Sequence, residues 1–135
     1  LSPFLFILVM TVLMYDARKL LSEPSQDALK KGQRRDILYA DDTLIFGSSA
    51  SCVEEYAQAV EKTGSSYGMS LHWGKTQAMC VGDACSLKKP DGSLFEHRDC
   101  LQYLGALLSA NGRADSEISR KLGVARADFN QLQRL

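Results

Sequence analysis

The stretch ILYADDTLIFG, Ile37 to Gly47, decides how this chain folds. Ile37, Leu38, Tyr39 and Ala40 precede Asp41 and Asp42, and Leu44, Ile45 and Phe46 follow Thr43. The apolar flanks read as two short buried strands rich in strand-forming side chains. Adjacent carboxylates repel each other and resist burial, so they belong where the chain turns back. The pattern predicts a β-hairpin with Asp41 and Asp42 at its tip, drawing on the tolerance of Asp for turn conformations. Two readings of the pair stand side by side. One is a solvated turn in which Asp serves backbone geometry. The other is metal binding. Hard divalent cations such as Mg²⁺ take carboxylate oxygens, relieve the repulsion and bridge to phosphates. Two such ions about 3.5–4 Å apart clamp an in-line displacement at phosphorus.

The 135 residues suffice for one domain with a core, or for a piece of a larger one. Apolar residues make up 45% and charged residues 24%, which argues against global disorder. Sixteen basic and sixteen acidic side chains cancel, so the chain as a whole carries no electrostatic footprint for nucleic acid. A local excess lies between Arg113 and Leu135, where Arg113, Arg120, Lys121, Arg126 and Arg134 face Asp115, Glu117 and Asp128. The chain opens on LSPFLFILVMTVLMY and begins with Leu1 rather than Met, which reads as a fragment lacking its N-terminal part. This run lacks the basic flank and cleavage site of a signal peptide. From Phe4 to Met14 it is too short to cross a membrane before Asp16, Arg18 and Lys19. A buried helix is expected there, capped by Ser2, with Pro3 at the first helical position. Apolar all round, such a helix needs cover on every side.

Cys80, Cys85, His97 and Cys100 have pair spacings near those of zinc sites, but the cysteines lie in apolar runs. Buried free thiols are the preferred expectation, and nothing marks the chain as secreted. Ser22 to Gln33 reads as a loop or short exposed helix. Ser51 and Glu54 have capping-box spacing, and Val53, Tyr56, Ala57 and Val60 recur on one helical face, with Glu54, Glu55, Glu61 and Lys62 away from it. Gly64 and Gly68 end that helix. A strand is expected near Gln77 to Val81, and a KPDG turn at 89–92 between short strands near 86–88 and 93–96. CLQYLGALLS reads as one further strand, closed by Asn111-Gly112. A last helix carries Ile118, Leu122, Ala125, Phe129 and Leu132 on one stripe. Direct turns between strands favour an α+β fold with an antiparallel sheet.

Tyr39-Ala40-Asp41-Asp42 between apolar strands resembles motif C of reverse transcriptases, the Y-x-D-D hairpin of the polymerase palm. Three further segments follow the family's order. Leu1-Ser2-Pro3-Phe4-Leu5-Phe6 resembles the end of motif B. Gly68-Met69-Ser70-Leu71-His72-Trp73-Gly74-Lys75-Thr76 resembles motif D with its Lys-Thr. Tyr103-Leu104-Gly105 resembles the motif E region, and the helix after it the start of the thumb. Together they span nearly the whole chain and are most similar to the non-LTR (LINE-type) retrotransposon enzymes.

The resemblance implies a palm-like antiparallel sheet packed on helices over residues 1–110, and the start of a thumb helix over 111–135. It implies RNA-directed DNA polymerase chemistry on an RNA template, a DNA primer and deoxynucleoside triphosphates, with Mg²⁺ or Mn²⁺. Asp41 and Asp42 would ligate the metal, and Lys75 would protonate the leaving pyrophosphate. Tyr39 would lie near the primer terminus. Ser2 and Pro3 would floor the templating base pair, and Leu104 and Gly105 would form the primer grip. Arg113, Arg120, Lys121 and Arg126 would reach duplex phosphates or form a solvated face. His72 stands where many relatives have Asn, which puts one hydrogen bond in doubt. The family's motif A aspartate, which precedes motif B, is not in the chain. The expectation is therefore a fragment inactive by itself, needing the N-terminal half of its domain, intracellular or nuclear and without a membrane. The alternative is a non-catalytic retroelement remnant or a co-opted nucleic-acid- or protein-binding domain.

Overall fold

The computed structural model describes residues 2–82 and 85–133, the Arg34 side chain excepted. In chain order the elements are α1 (Ser2–Lys19), α2 (Glu23–Lys30), β1 (Arg34–Tyr39), β2 (Asp42–Gly47), α3 (Ala50–Ser66), β3 (Cys100–Tyr103), β4 (Ala106–Ser109) and α4 (Asp115–Leu132). Helices mix with two antiparallel two-stranded sheets, the α+β class the turn signals predict. The chain divides into two compact units, Leu1–Thr76 with Leu87–Leu94, and Gln77–Ser86 with Phe95–Leu135.

In the first unit, α1 runs past Met14 to Lys19, where Arg18 and Lys19 in the last turn complement the helix dipole. Ser2 is its first helical residue rather than its cap. The expectation of cover on every side is corrected. Only the C-terminal half is buried, through Leu13, Met14 and Ala17, while Phe4 to Val9 and Val12 are exposed. The reason is that α1 packs on α3, and their shared core forms at this end. Leu13, Met14, Ala17, Leu21, Tyr56, Ala59 and Val60 make that core, with Leu29, Leu38, Ile45, Met69 and Leu71 against it. Burying a Leu or Met side chain stabilises by about 1.5–3 kcal/mol, so these few residues carry most of the unit's cohesion.

The expected capping box at Ser51 is also corrected. Helix α3 starts two residues earlier, with Ser49 Oγ accepting from Cys52 N at 3.3 Å. At its other end Met69 N donates to Gly64 O (2.9 Å) and Gly68 N to Ser65 O (3.2 Å), a Schellman closure with Gly68 at φ +70°. Gly64 itself lies inside the helix and is buried. The glutamates of α3 do not simply face solvent. Glu55 accepts from Ser22 N (2.7 Å) and Ser25 Oγ, Glu61 from Leu71 N (2.8 Å), and Glu54 from Lys88 N (2.5 Å). Each carboxylate thus fastens an incoming segment by a backbone donor that would otherwise lack a partner. The KPDG turn forms as predicted, with Gly92 at φ +84° and Asp91 Oδ1 accepting from Ser93 N and Oγ. The strands around it reduce to a single Lys88–Leu94 bridge.

In the second unit the strand expected at 77–81 is only a parallel bridge between Ala78 and His97. CLQYLGALLS is a hairpin rather than one strand. Leu104 (φ 49°) and Gly105 (φ 77°) turn between Tyr103 and its partner Ala106, the φ signs of a type I′ turn. Glu117 Oε2 on α4 accepts from Leu107 N (3.0 Å) and Arg120 Nε (2.9 Å), and Arg120 Nη2 donates to Gly105 O (2.5 Å). The α4 stripe exists, but Ile118, Leu122, Phe129 and Leu132 all remain exposed. No described helix is long and apolar enough to cross a membrane.

Candidate functional site

The ladder of β1 and β2 pairs Asp36 with Ile45, Ile37 with Leu44, Leu38 with Thr43 and Tyr39 with Asp42. Side chains alternate across it, so Leu38 and Ile45 reach the core while Ile37, Tyr39 and Phe46 stay exposed. The predicted hairpin is therefore present, with its tip shifted by half a step. The two-residue loop is Ala40-Asp41, and Asp42 is already the first residue of β2. Ala40, not an aspartate, adopts the left-handed conformation at φ 52°. For a residue with a Cβ that conformation costs about 1–2 kcal/mol.

Asp41 and Asp42 are both exposed. Among the described residues neither carboxylate takes part in an ion pair or side-chain hydrogen bond. Tyr39, directly opposite Asp42, is 62% exposed. Consecutive carboxylates with unclaimed oxygens on an accessible tip fit a divalent cation as hard oxygen donors. They form a pair only, since among the described residues no three His, Cys, Asp or Glu side chains cluster as a metal site.

Beneath the tip lies a network that sequence reasoning missed. Arg18 Nη2 donates to both oxygens of Asp36, at 2.9 and 2.7 Å. Arg18 Nε donates to Tyr56 Oη at 3.0 Å, and Tyr56 Oη donates to Asp36 Oδ1 at 2.9 Å. Tyr56 is fully buried, the Asp36 side chain is 4% exposed, and Arg18 keeps one edge in solvent. Burial, reinforced by the Asp36 carboxylate and opposed by Arg18, pushes the Tyr56 phenol up to about 12. Burial pulls the Arg18 guanidinium down, but its hydrogen bonds to Tyr56 and Asp36 outweigh this and leave it raised. The available signal was phase: Asp36 shares the inward face of β1 with Leu38, and a charge there needs a partner.

The other predicted residues lie on separate elements and turns. Lys75 is exposed on a turn in which Lys75 N and Thr76 N both donate to His72 O, at 2.8 and 3.1 Å. Ser2 and Pro3 are exposed in the first turn of α1. Leu104 and Gly105 form the β3–β4 tip in the other unit. Of the basic residues near α4, Arg113 pairs with Asp115 (2.9 Å), and Arg120 and Lys121 pair with Glu117 (2.9 and 3.9 Å). Arg126 is exposed, and Arg134 lies outside the described residues.

The expectation of four free thiols is corrected in part. Cys80 and Cys85 form a disulfide with their Cα atoms 5.9 Å apart, whereas Cys52 and Cys100 are half-buried thiols outside any disulfide. A short loop can close such a pair because both residues leave regular structure at this point.

Residues 1–108 match the family model described as reverse transcriptase (RNA-dependent DNA polymerase). No curated protein and no solved structure matches the chain.

Proposed function

The chain belongs to the reverse transcriptase family, and on that premise we propose that it forms part of an RNA-directed DNA polymerase of the non-LTR type. In this reading residues 1–110 contribute to the palm and residues 111–135 start the thumb. The observation that carries it is the pair of exposed, unclaimed carboxylates at the tip of a hairpin whose base is buried. Asp41 and Asp42 would hold a divalent metal, Mg²⁺ or Mn²⁺, which when bound would supply activation of a primer 3′-hydroxyl and charge balance on the transferred phosphoryl group. Tyr39 presents its ring beside Asp42 for the primer terminus. Lys75 donates a proton from Nζ to the departing pyrophosphate. Ser2 and Pro3 support the template pair. Leu104 and Gly105 let the primer backbone approach at a tip with little side-chain bulk at Gly105.

Two carboxylates without a third acid among the described residues supply only part of a shared two-metal site. The purified chain is therefore expected to extend no primer. The same observation favours a second reading, in which the fold serves as a non-catalytic nucleic-acid- or protein-binding remnant. Mn²⁺ titration followed by amide NMR separates the two. Selective broadening of Tyr39 to Thr43, lost in Asp41→Asn and Asp42→Asn, supports the polymerase reading. Uniform weak broadening over the surface overturns it.

A further inference from the structure

Among the described residues, the hairpin that carries the carboxylate tip meets both core helices through a polar network at Asp36. Beyond Asp36, Leu38 and Ile45 pack the β1–β2 ladder against the core, and a two-stranded hairpin is marginal in isolation. Apolar contacts hold a strand down but define its rotation poorly. The Arg18–Asp36–Tyr56 network is directional. Arg18 Nη2 meets both Asp36 oxygens while Nε meets Tyr56 Oη, so the planar guanidinium is held at two nitrogens, and the Tyr56 hydroxyl closes the triangle. The three residues come from α1, β1 and α3, so the anchor ties the hairpin to both core helices.

The lever arm makes this consequential. Asp36 lies three residues before Tyr39, about 10 Å along the strand at a rise of about 3.3 Å per residue. A swing of about 10° at the anchor moves the tip by about 1.7 Å, and displacements near 1 Å already degrade reactive geometry by orders of magnitude.

Resting on the reading of Asp41 and Asp42 as metal ligands, we propose that Arg18, Asp36 and Tyr56 are positioning residues that set the orientation of this carboxylate pair. They touch no substrate. They act by holding the base of β1 so that the two carboxylates meet a divalent ion together. Outer contacts of this kind govern metal affinity through the ligands they orient.

The test uses the 135-residue chain with Mn²⁺ as probe. Tyr56→Phe removes the hydroxyl and keeps the ring in the core. Arg18→Lys keeps the charge and loses the second nitrogen, which reaches Tyr56 Oη. Asp36→Asn covers the case in which either variant fails to fold. Ala59→Gly is the control, since it weakens α3 without touching the network. Folded fractions are set by the retained α1 and α3 amide spectrum. Mn²⁺ affinity is read from broadening of Tyr39 to Thr43, and hairpin order from amide exchange at the tip. The network variants should lose about tenfold in Mn²⁺ affinity while folded, with faster exchange at the tip. The control should lower the melting temperature and leave both readouts unchanged. Unchanged affinity and exchange in a folded network variant overturn the proposal, as does an equal affinity loss in the control. Absence of hairpin broadening in the wild type overturns the metal reading instead. Tip exchange then decides the anchoring alone.

Discussion

Removing the carboxylate of Glu61 should loosen the turn that carries Lys75. Glu61 Oε2 accepts from Leu71 N at 2.8 Å in a partly buried setting, and Leu71 packs against the core just before the His72-centred turn. A hydrogen bond to a charged acceptor contributes about 1.5–3 kcal/mol. Both residues keep some solvent contact, so the lower end applies, and Glu61→Ala should cost about 1.5 kcal/mol. Amide exchange at Leu71 then accelerates about tenfold, because 1.4 kcal/mol is a factor of ten. Glu61→Gln retains an acceptor oxygen without the charge, so it should lose about half as much. The assays are urea denaturation and residue-resolved hydrogen exchange, with the Ser22 amide, held by Glu55, as an internal reference. Two outcomes would rule out this role for Glu61. One is unchanged protection at Leu71 in Glu61→Ala. The other is Glu61→Gln behaving like Glu61→Ala, which assigns the effect to long-range charge rather than to this acceptor.

Ala40→Gly should relieve the left-handed strain at the hairpin tip and stabilise by up to about 1 kcal/mol, after the greater chain entropy of Gly is subtracted, as read in a urea midpoint. Thr63 Oγ1 is buried without a partner, so Thr63→Val should be neutral or stabilise by about 1 kcal/mol in the same assay, whereas a loss of stability would reveal an unrecognised partner. The Arg120 hydrogen bond holds the Glu117 carboxyl below its usual range against some burial, helped by Leu107 N. A depressed folded value means that the contribution of this latch is fully present above the unfolded pKa near 4.5 and is lost as pH falls through the lower folded value. The Leu107 amide shift should therefore move only below about pH 4.5, and Glu117→Gln should abolish that titration.

Periodicity carried much of the fold. The 37–47 run, the α3 face through Tyr56 and Val60, and the KPDG turn all follow from local rules about alternation, helical spacing and positive φ. What escaped depends on tertiary partners. Cover for α1 comes at one end only, which no helical wheel of an all-apolar segment can show. The β3–β4 hairpin was hidden because Leu104 occupies a turn position that favours Asn, Asp or Gly. The glutamates of α3 look solvent-facing by phase. They fold back because loops bring bare N–H groups within reach, at Ser22, Leu71 and Lys88. In the site, the aspartate pair was legible from charge within an apolar run. Its anchor was not, because Arg18, Asp36 and Tyr56 are widely spaced in sequence and meet only after α1, β1 and α3 have packed.

A chimera shows whether Asp41 and Asp42 serve polymerisation. Residues 1–108 would replace the corresponding part of an active reverse transcriptase, with primer extension on an RNA template as the readout. The account predicts Mg²⁺-dependent synthesis that falls by about a thousandfold or more in Asp41→Asn, equivalent to about 4 kcal/mol of transition-state stabilisation. Undiminished synthesis in a chimera carrying both Asp41→Asn and Asp42→Asn would contradict it.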